Sequence, residues 1–259
     1  MDLLIDIGNT NLRWVTWGDT GPHEADAAPR LGEVHALRHH GALPIDLIAA
    51  WDRLPAPRRI LVGNVGGPDL GAHLTRTCRS LWGLAPDFAA TQADAFGVRI
   101  AYPEPERLGV DRWLALIAAR HADGAETEGA ALIVDAGTAI TYDLLAADGA
   151  HLGGLILPGV HLLRKTLRSG TRIPPWAEPP EPRPEDPPWA DNTATAIAAA
   201  SLQAPAALAE RLWERLRAHG RGAPRLILTG GDAERLAPLI GRPTHILPAL
   251  VLQGLALLA

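Results

Sequence analysis

At 259 residues, 47% of them hydrophobic and 20% charged, the sequence has globular composition and enough length for a substantial core in roughly one to two domains, which excludes a disordered chain. A net charge of -5 argues against a nucleic-acid-binding surface, and a single cysteine, Cys78, excludes an intramolecular disulfide or thiolate cluster and reads as a buried structural thiol. No run approaches the ~20 apolar residues that span a bilayer, and no basic segment precedes the apolar start, so the expectation is a soluble cytoplasmic protein with no membrane or nucleic-acid partner.

Met1 to Ile7 reads as a buried strand, four of its seven residues being Leu or Ile. Gly8-Asn9-Thr10-Asn11 is a polar turn, and Leu12 to Trp17 a second strand. Gly8 lets backbone approach a ligand with no Cβ in the way. Asn9 and Thr10 offer short donors for phosphate oxygens or metal-bound water, and Asp6 faces them from the strand end. From this segment alone an ordinary β-hairpin reads equally well. Gly18 to Arg30, rich in Gly, Pro and Ala, is a loop. Pro44 to Leu54 has helical spacing, Arg59 to Gly63 is a short strand, Asn64 to Gly67 a glycine turn, and Asp69 to Trp82 a helix, an α/β alternation. Val98 to Tyr102 is strand-like, Pro103 and Pro105 force an extended passage, and Gly109 opens a helix that continues through Ile117. Asp111 and Arg112 thereby fall in its first turn. The helix dipole stabilises a carboxylate there by roughly 0.3–1 kcal/mol, so Asp111 reads either as a first-turn acid or as a base.

Glu126 to Gly129 is a turn, with the domain boundary before it: residues 1–118 form one half and 119–259 the other. Ala130 to Leu145, AALIVDAGTAITYDLL, repeats the first hairpin, with Asp135, Ala136, Gly137 and Thr138 matching Asp6, Ile7, Gly8 and Asn9. Ala150 to Leu157 is a third strand and Val160 to Leu167 a helix. Arg164 and Arg168 lie one turn apart on it, near Lys165 and Arg172, and a solvated basic face is the default reading ahead of an anion site. Ile173 to Asp191 is too Pro-rich for a helix or central strand and reads as a stiff surface connection. Helices follow at Thr193 to Leu202, capped near Asp191 or Asn192, and at Pro205 to His219. Strand Arg225 to Thr229, the Gly230-Gly231 turn, helix Ala233 to Ile240, a strand near Thr244 to Leu247 and helix Leu250 to Leu258 complete the chain. Two similar hairpins and a Gly-Gly turn imply related halves facing one nucleotide across a cleft. The ten histidines lack metal spacing, and His39-His40 reads as surface. No P-loop, no G-x-G-x-x-G after the first strand and no G-x-S-x-G occurs.

In their order and spacing, DIGNTNLR (Asp6 to Arg13), FGVRIAYPEPERLGVDR (Phe96 to Arg112), VDAGTAITYD (Val134 to Asp143), GGLILPGVHLLRKTL (Gly153 to Leu167), NTATAI (Asn192 to Ile197) and the LTGGD turn resemble the type III pantothenate kinases. These belong to the acetate kinase, sugar kinase and actin superfamily. The resemblance implies an α/β fold of two similar ribonuclease H-like halves, mixed sheets flanked by helices, with the active cleft between them. It implies ATP-dependent phosphorylation of the pantothenate 4′-hydroxyl, the first step of coenzyme A synthesis. Asp6, Ile7, Gly8, Asn9, Thr10, Asn11, Leu12 and Arg13 would hold the ATP phosphates, Asp6 organising Mg²⁺ and its waters, and Thr138 would contact ATP. Asp135 would bind an activating monovalent cation, potassium or ammonium. Tyr102, Gly109, Val110, Asp111, Arg112 and Thr193 would hold pantothenate, with Asp111 as the catalytic base. A homodimer is implied, its pantothenate pocket drawing on both subunits. Arg13 stands where the family often has Lys, Ala200 replaces a common glycine, and the Pro-rich loop is long. The alternatives are another sugar kinase or phosphohydrolase of the superfamily, or a nucleotide-binding regulatory accessory protein. Retention of Asp6, Asp111 and Asp135 together speaks against the last.

Overall fold

The computed structural model describes residues 1–18, 31–122, 129–183, 185–220 and 222–259. Most of the loop expected at Gly18 to Arg30 and of the turn at Glu126 to Gly129 lies outside them. The chain forms two compact units, Met1–Thr127 with Ala249–Ala259, and Glu128–Pro248.

In the first unit, β1 (Asp2–Ile7), β2 (Asn11–Trp17), β3 (His35–Arg38), α1 (Ile45–Trp51), β4 (Ile60–Asn64), α2 (Pro68–Trp82) and β5 (Asp87–Phe88) build a sheet of order β3-β2-β1-β4-β5. β2 runs antiparallel to β1 and β3, whereas β4 is parallel to β1 and β5. β1 is central and buried along its whole length, which is why it reads as a continuous apolar run. Leu3, Ile5 and Ile7 point into a core with Leu12, Trp14, Trp51, Val62 and Leu74. Cys78 completes the buried stripe of α2, and burial pushes its thiol up to about 12, so it is no nucleophile.

A small hairpin, β6 (Asp94–Ala95) and β7 (Val98–Arg99), turns through Phe96 and Gly97, both at positive φ (53° and 69°). Gly97 suits that turn; Phe96 does not, and its ring packs edge-on against Trp113 and His121 at 6.2 and 6.5 Å. The strand expected at Val98 to Tyr102 thus shrinks to two residues. The Pro passage contains a 3-10 turn, Pro105–Arg107, whose fixed proline φ suits that geometry. α3 (Val110–His121) follows, buried almost all round, and packs against β4, β7 and the chain's last helix.

In the second unit, β8 (Ala131–Ala136), β9 (Ala139–Leu145), β10 (His151–Pro158), α4 (Val160–Gly170), α5 (Thr193–His219), β11 (Arg225–Thr229), α6 (Ala233–Leu236) and β12 (His245–Ile246) give a sheet of order β10-β9-β8-β11-β12 with the same pattern of directions as the first. The repeat seen in two hairpins therefore extends to five strands. α7 (Leu250–Ala256) departs from the expected division at residue 118, since it joins the first unit. The reason is a close helix crossing: a Cβ on Gly254 would fall 2.3 Å from the Leu114 carbonyl oxygen, an approach that only glycine permits.

Two further expectations are corrected. The helices predicted on either side of Pro205 are one helix, α5. Its buried face, including Ile197, Leu202, Ala206, Ala209, Trp213 and Leu216, continues through the proline, and burial at ~1.5–3 kcal/mol per large side chain outweighs the ~3 kcal/mol cost of an interior proline. The Tyr142 hydroxyl donates to the Pro205 carbonyl at 3.0 Å and fixes that turn to β9. Arg164 is not part of a solvated basic face. It is buried, donating to Ser201 Oγ (2.9 Å), to Glu178 (3.2 Å), to Glu181 (3.3 Å) and to the Ala198 carbonyl (3.3 Å). The acids come from the Pro-rich segment, which folds back over α4. Arg168 pairs with Glu178 as well and lies 4.6 Å over the Trp176 ring.

Candidate functional site

In the first hairpin Asp6 stands opposite Arg13, and Gly8 N–H closes the turn on the Asn11 carbonyl at 3.0 Å. The strand's alternation turns Asp6 to the face opposite Ile5 and Ile7. Its carboxylate is only 5% exposed and lies 3.5 Å from Arg13 Nη1. Ile7 and Leu12 have fully buried side chains, so only their backbone can meet a ligand, while Asn9 and Asn11 are exposed. His39, expected at the surface, is buried against this turn because β3 pairs with β2 in the register Asn11 to Arg38. The alternation of His35, Leu37 and His39 was the one available signal for it.

The loop after β4 touches both key turns of this unit. Asn64 ties it to itself, accepting from Gly66 N–H (2.9 Å) and donating to the Gly67 carbonyl (3.0 Å), and Val65 N–H donates to the Ile7 carbonyl (2.9 Å). Gly66 packs so tightly that a Cβ would lie 3.0 Å from the Gly8 oxygen, and Val65 borders Gly109 at the start of α3.

Gly109 is the N-cap of α3 with an ordinary φ of -52°, so conformation does not require its glycine. A Cβ there would meet Asp111 Oδ1 at 2.5 Å. The half-buried Asp111 carboxylate folds back over the helix start and accepts from Arg112 N–H at 2.8 Å. Arg112, 6% exposed, donates from Nη1 to the Tyr102 hydroxyl at 3.1 Å, with its guanidinium 5.8 Å from the ring centroid. The sequence-predicted Tyr102, Gly109, Asp111 and Arg112 are therefore one cluster, and Val110 is buried beside it. A half-buried carboxylate at a helix start can take a proton from a hydroxyl, and a buried guanidinium held by Tyr102 is a fixed positive charge in the same cluster.

In the second unit, Asp135 is the next-to-last residue of β8 and Thr138 is exposed on the following turn. That turn is gripped by backbone: Gly137 N–H donates to the Ala139 carbonyl (3.1 Å), Gly159 N–H to the Thr138 carbonyl (2.8 Å) and Asp232 N–H to the Ala136 carbonyl (2.9 Å). Gly230, at φ 89°, sits so close that a Cβ would fall 2.5 Å from Asp135 Oδ1 and 2.6 Å from the Ala136 oxygen. Thr193 is exposed at the first position of α5, whose Asn192 cap accepts from Thr195 N–H at 3.0 Å. Asp143, at the end of the second motif, belongs to the sheet interior, paired with buried His151 at 3.0 Å. The Gly-Gly turn is also tied to the Pro-rich segment: Arg235 bridges Asp232 and Glu181. Burial alone would raise the Glu181 pKa, but hydrogen bonds and charge from Arg235 and Arg164 together outweigh it and hold the carboxyl below its usual range.

Among the described residues no group of three or more His, Cys, Asp or Glu is placed to hold a metal ion. A lone carboxylate at a glycine turn, as at Asp6, instead fits a divalent cation that arrives on substrate phosphates.

A family model described as type III pantothenate kinase matches residues 2–215. Type III pantothenate kinases from Nitrosococcus oceani and Azoarcus sp. are 38% and 40% identical to the chain, covering all of it and 94% and 90% of those relatives. That from Aromatoleum aromaticum is 40% identical, with all of this chain and 98% of the relative covered. Among solved structures, a Campylobacter jejuni protein titled as a Baf family transcriptional activator superposes with a TM-score of 0.53 at 23% identity, covering 98% of this chain and 95% of that one. A Sinorhizobium meliloti protein titled for 2-dehydro-3-deoxygalactonokinase gives 0.55 at 14% identity, covering 99% and 97%. These two likenesses show a fold shared with those proteins, and no more than the fold.

Proposed function

The chain belongs to the type III pantothenate kinase family, and from that premise we propose how its own residues phosphorylate pantothenate with ATP, a step of coenzyme A synthesis. The observation that carries the assignment is the carboxylate of Asp111, folded over a glycine that leaves it room and set beside the buried Arg112–Tyr102 pair.

Phosphoryl transfer passes through a loose transition state, so positioning and charge neutralisation dominate and the base acts late. The 4′-hydroxyl oxygen forms a bond to the γ-phosphorus as the bond to the bridging oxygen breaks and ADP leaves. Asp111 orients that hydroxyl and accepts its proton, a task for an ordinary ionised carboxylate. Arg112, braced by Tyr102, supplies fixed positive charge to the anionic substrate, and Gly109, Val110 and Thr193 complete the pantothenate contacts. The hairpin from Asp6 to Arg13 binds the ATP phosphates through the glycine-opened turn, and Thr138 contacts the nucleotide. Asp6 would hold the water shell of a Mg²⁺ that supplies charge neutralisation at the phosphates, and Asp135 would hold the monovalent cation. The proposed setting is the cytoplasm, and no described helix is long and apolar enough to cross a membrane.

The test is formation of phosphopantothenate from pantothenate, ATP and Mg²⁺, run in potassium and in sodium buffers. Turnover is expected to depend on pantothenate and to be higher in potassium or ammonium, and Asp135→Ala to abolish the cation response. No phosphopantothenate would overturn the reading, and equal rates in sodium and potassium would remove the role of Asp135. The regulatory alternative is not favoured, because the likeness to the Campylobacter protein is one of fold, whereas the relatives at 38–40% identity are named as kinases.

We propose a homodimer as well, supported by β10. It is an edge strand that exposes Leu152, Leu155 and Ile156, a liability unless covered. Sedimentation should give twice 27.5 kDa, and Ile156→Glu a shift toward monomer. A monomeric unaltered chain would refute the dimer.

A further inference from the structure

Besides the loop after β4, the turn that follows β1 is held by His39, a residue that no kinase role yet claims. His39 Nε2 lies 2.8 Å from the Gly8 oxygen, and the His39 backbone N–H donates to the Thr10 carbonyl at 2.9 Å. Its other ring nitrogen settles the tautomer. Nδ1 accepts from Gly41 N–H at 3.3 Å, and an acceptor nitrogen carries no proton, so the neutral ring bears its hydrogen on Nε2 and donates it to Gly8. At 6% exposure the ring leaves little access for water to replace that bond.

The consequence lies in the peptide plane. The Gly8–Asn9 bond is trans and planar, so its N–H points from the edge opposite its C=O. Tying the carbonyl to His39 turns the Asn9 N–H away from the ring. Glycine resists rotation of its peptide less than any other residue, so loss of the His39 hydrogen bond leaves only the packing of Gly66 to keep the plane from turning its oxygen to the ligand. A carbonyl oxygen facing a triphosphate repels it; an N–H binds it.

We propose that His39 is a positioning residue for ATP: it holds the Gly8–Asn9 peptide with its donor toward the phosphates. The proposal rests on the reading that the hairpin from Asp6 to Arg13 binds ATP, so the test separates the two. The full chain is compared with His39→Ala, His39→Gln, His39→Phe and Asp6→Asn, measuring KM for ATP, KM for pantothenate and calorimetric binding of a non-hydrolysable ATP analogue. His39→Ala and His39→Phe should each weaken ATP roughly tenfold, the scale of one net hydrogen bond, while KM for pantothenate stays put. His39→Gln, whose amide N–H can reach the same carbonyl, should recover most of the loss. A role in folding alone would lower the active fraction and leave both KM values unchanged. If His39→Ala does not fold, the Phe and Gln variants decide: equal ATP affinity in the two overturns the proposal. Unchanged ATP affinity in His39→Ala, with a loss in Asp6→Asn, overturns it while sparing the hairpin. Unchanged ATP affinity in Asp6→Asn removes both.

Discussion

Asp111→Asn is expected to lower kcat by roughly 10²–10⁴-fold, the range for loss of a positioned general base, while binding of ATP and thermal stability stay close to those of the unaltered protein. Asparagine keeps the size of aspartate and retains an Oδ1 that can accept the Arg112 N–H, so the start of α3 should keep its geometry. Only the ability to receive the hydroxyl proton is removed. The substitution is cleaner than alanine, which would also abolish that local hydrogen bond and leave space beside Gly109. Turnover and calorimetric ATP affinity, measured on the same preparation, check the expectation. A kcat equal to that of the unaltered enzyme would take Asp111 out of the chemistry, leaving the first-turn acid reading in its place.

How far the sequence disclosed the molecule depends on the range of the forces involved. β1, β8 and β11 were legible because strands buried on both faces carry near-continuous apolar runs, Leu3 to Ile5, Ala131 to Val134 and Leu226 to Leu228, and that demand is local. The first turn of α3 was legible for the same reason, a glycine followed by a helix-spaced apolar run. β3, β5 and β6 were not, because segments of two to four residues pair according to what lies beside them in space. Missing β3 also meant missing His39, since only the pairing of β3 with β2 brings that ring to the turn. Pro205 was misread by giving local propensity precedence over a buried face that runs through it. Arg164 was misread because its partners stand 14 and 17 residues away, in a segment with no regular structure. Within the site, the motifs gave the identities of Tyr102, Gly109, Asp111 and Arg112, but that the Asp111 carboxylate occupies the space of a Cβ at 109 emerged only from the structure.

The same contrast between a glycine in a motif and the contact that requires it leads to the other large effect, Gly159→Ala. Gly159 has φ -64° and ψ 166°, angles that any residue adopts, so conformational preference predicts a harmless or mildly stabilising change. Packing predicts the opposite. An added Cβ would lie 2.3 Å from the Gly137 oxygen and 2.5 Å from the Thr138 oxygen, and both are backbone atoms of the turn after β8, with no rotamer to yield. Either that turn opens or α4 backs away. The second course would pull Val160 from the core and Arg164 from its partners, and both would strain the 2.8 Å bond from Gly159 N–H to the Thr138 carbonyl. Overpacking of about 1–3 kcal/mol plus a lost hydrogen bond of about 1 kcal/mol gives a destabilisation of roughly 2–4 kcal/mol. For a chain of this size that corresponds to a fall in Tm of roughly 4–16 °C. If Thr138 contacts ATP as proposed, KM for ATP rises in the same variant. Gly170→Ala provides the control at the other end of the helix, where no atom lies within 4 Å of the added Cβ; it should change stability by less than about 0.5 kcal/mol. Calorimetric melting of the two variants decides the matter: equal Tm values would mean that the helix does not press on the turn, and that the turn is shaped by its own residues instead.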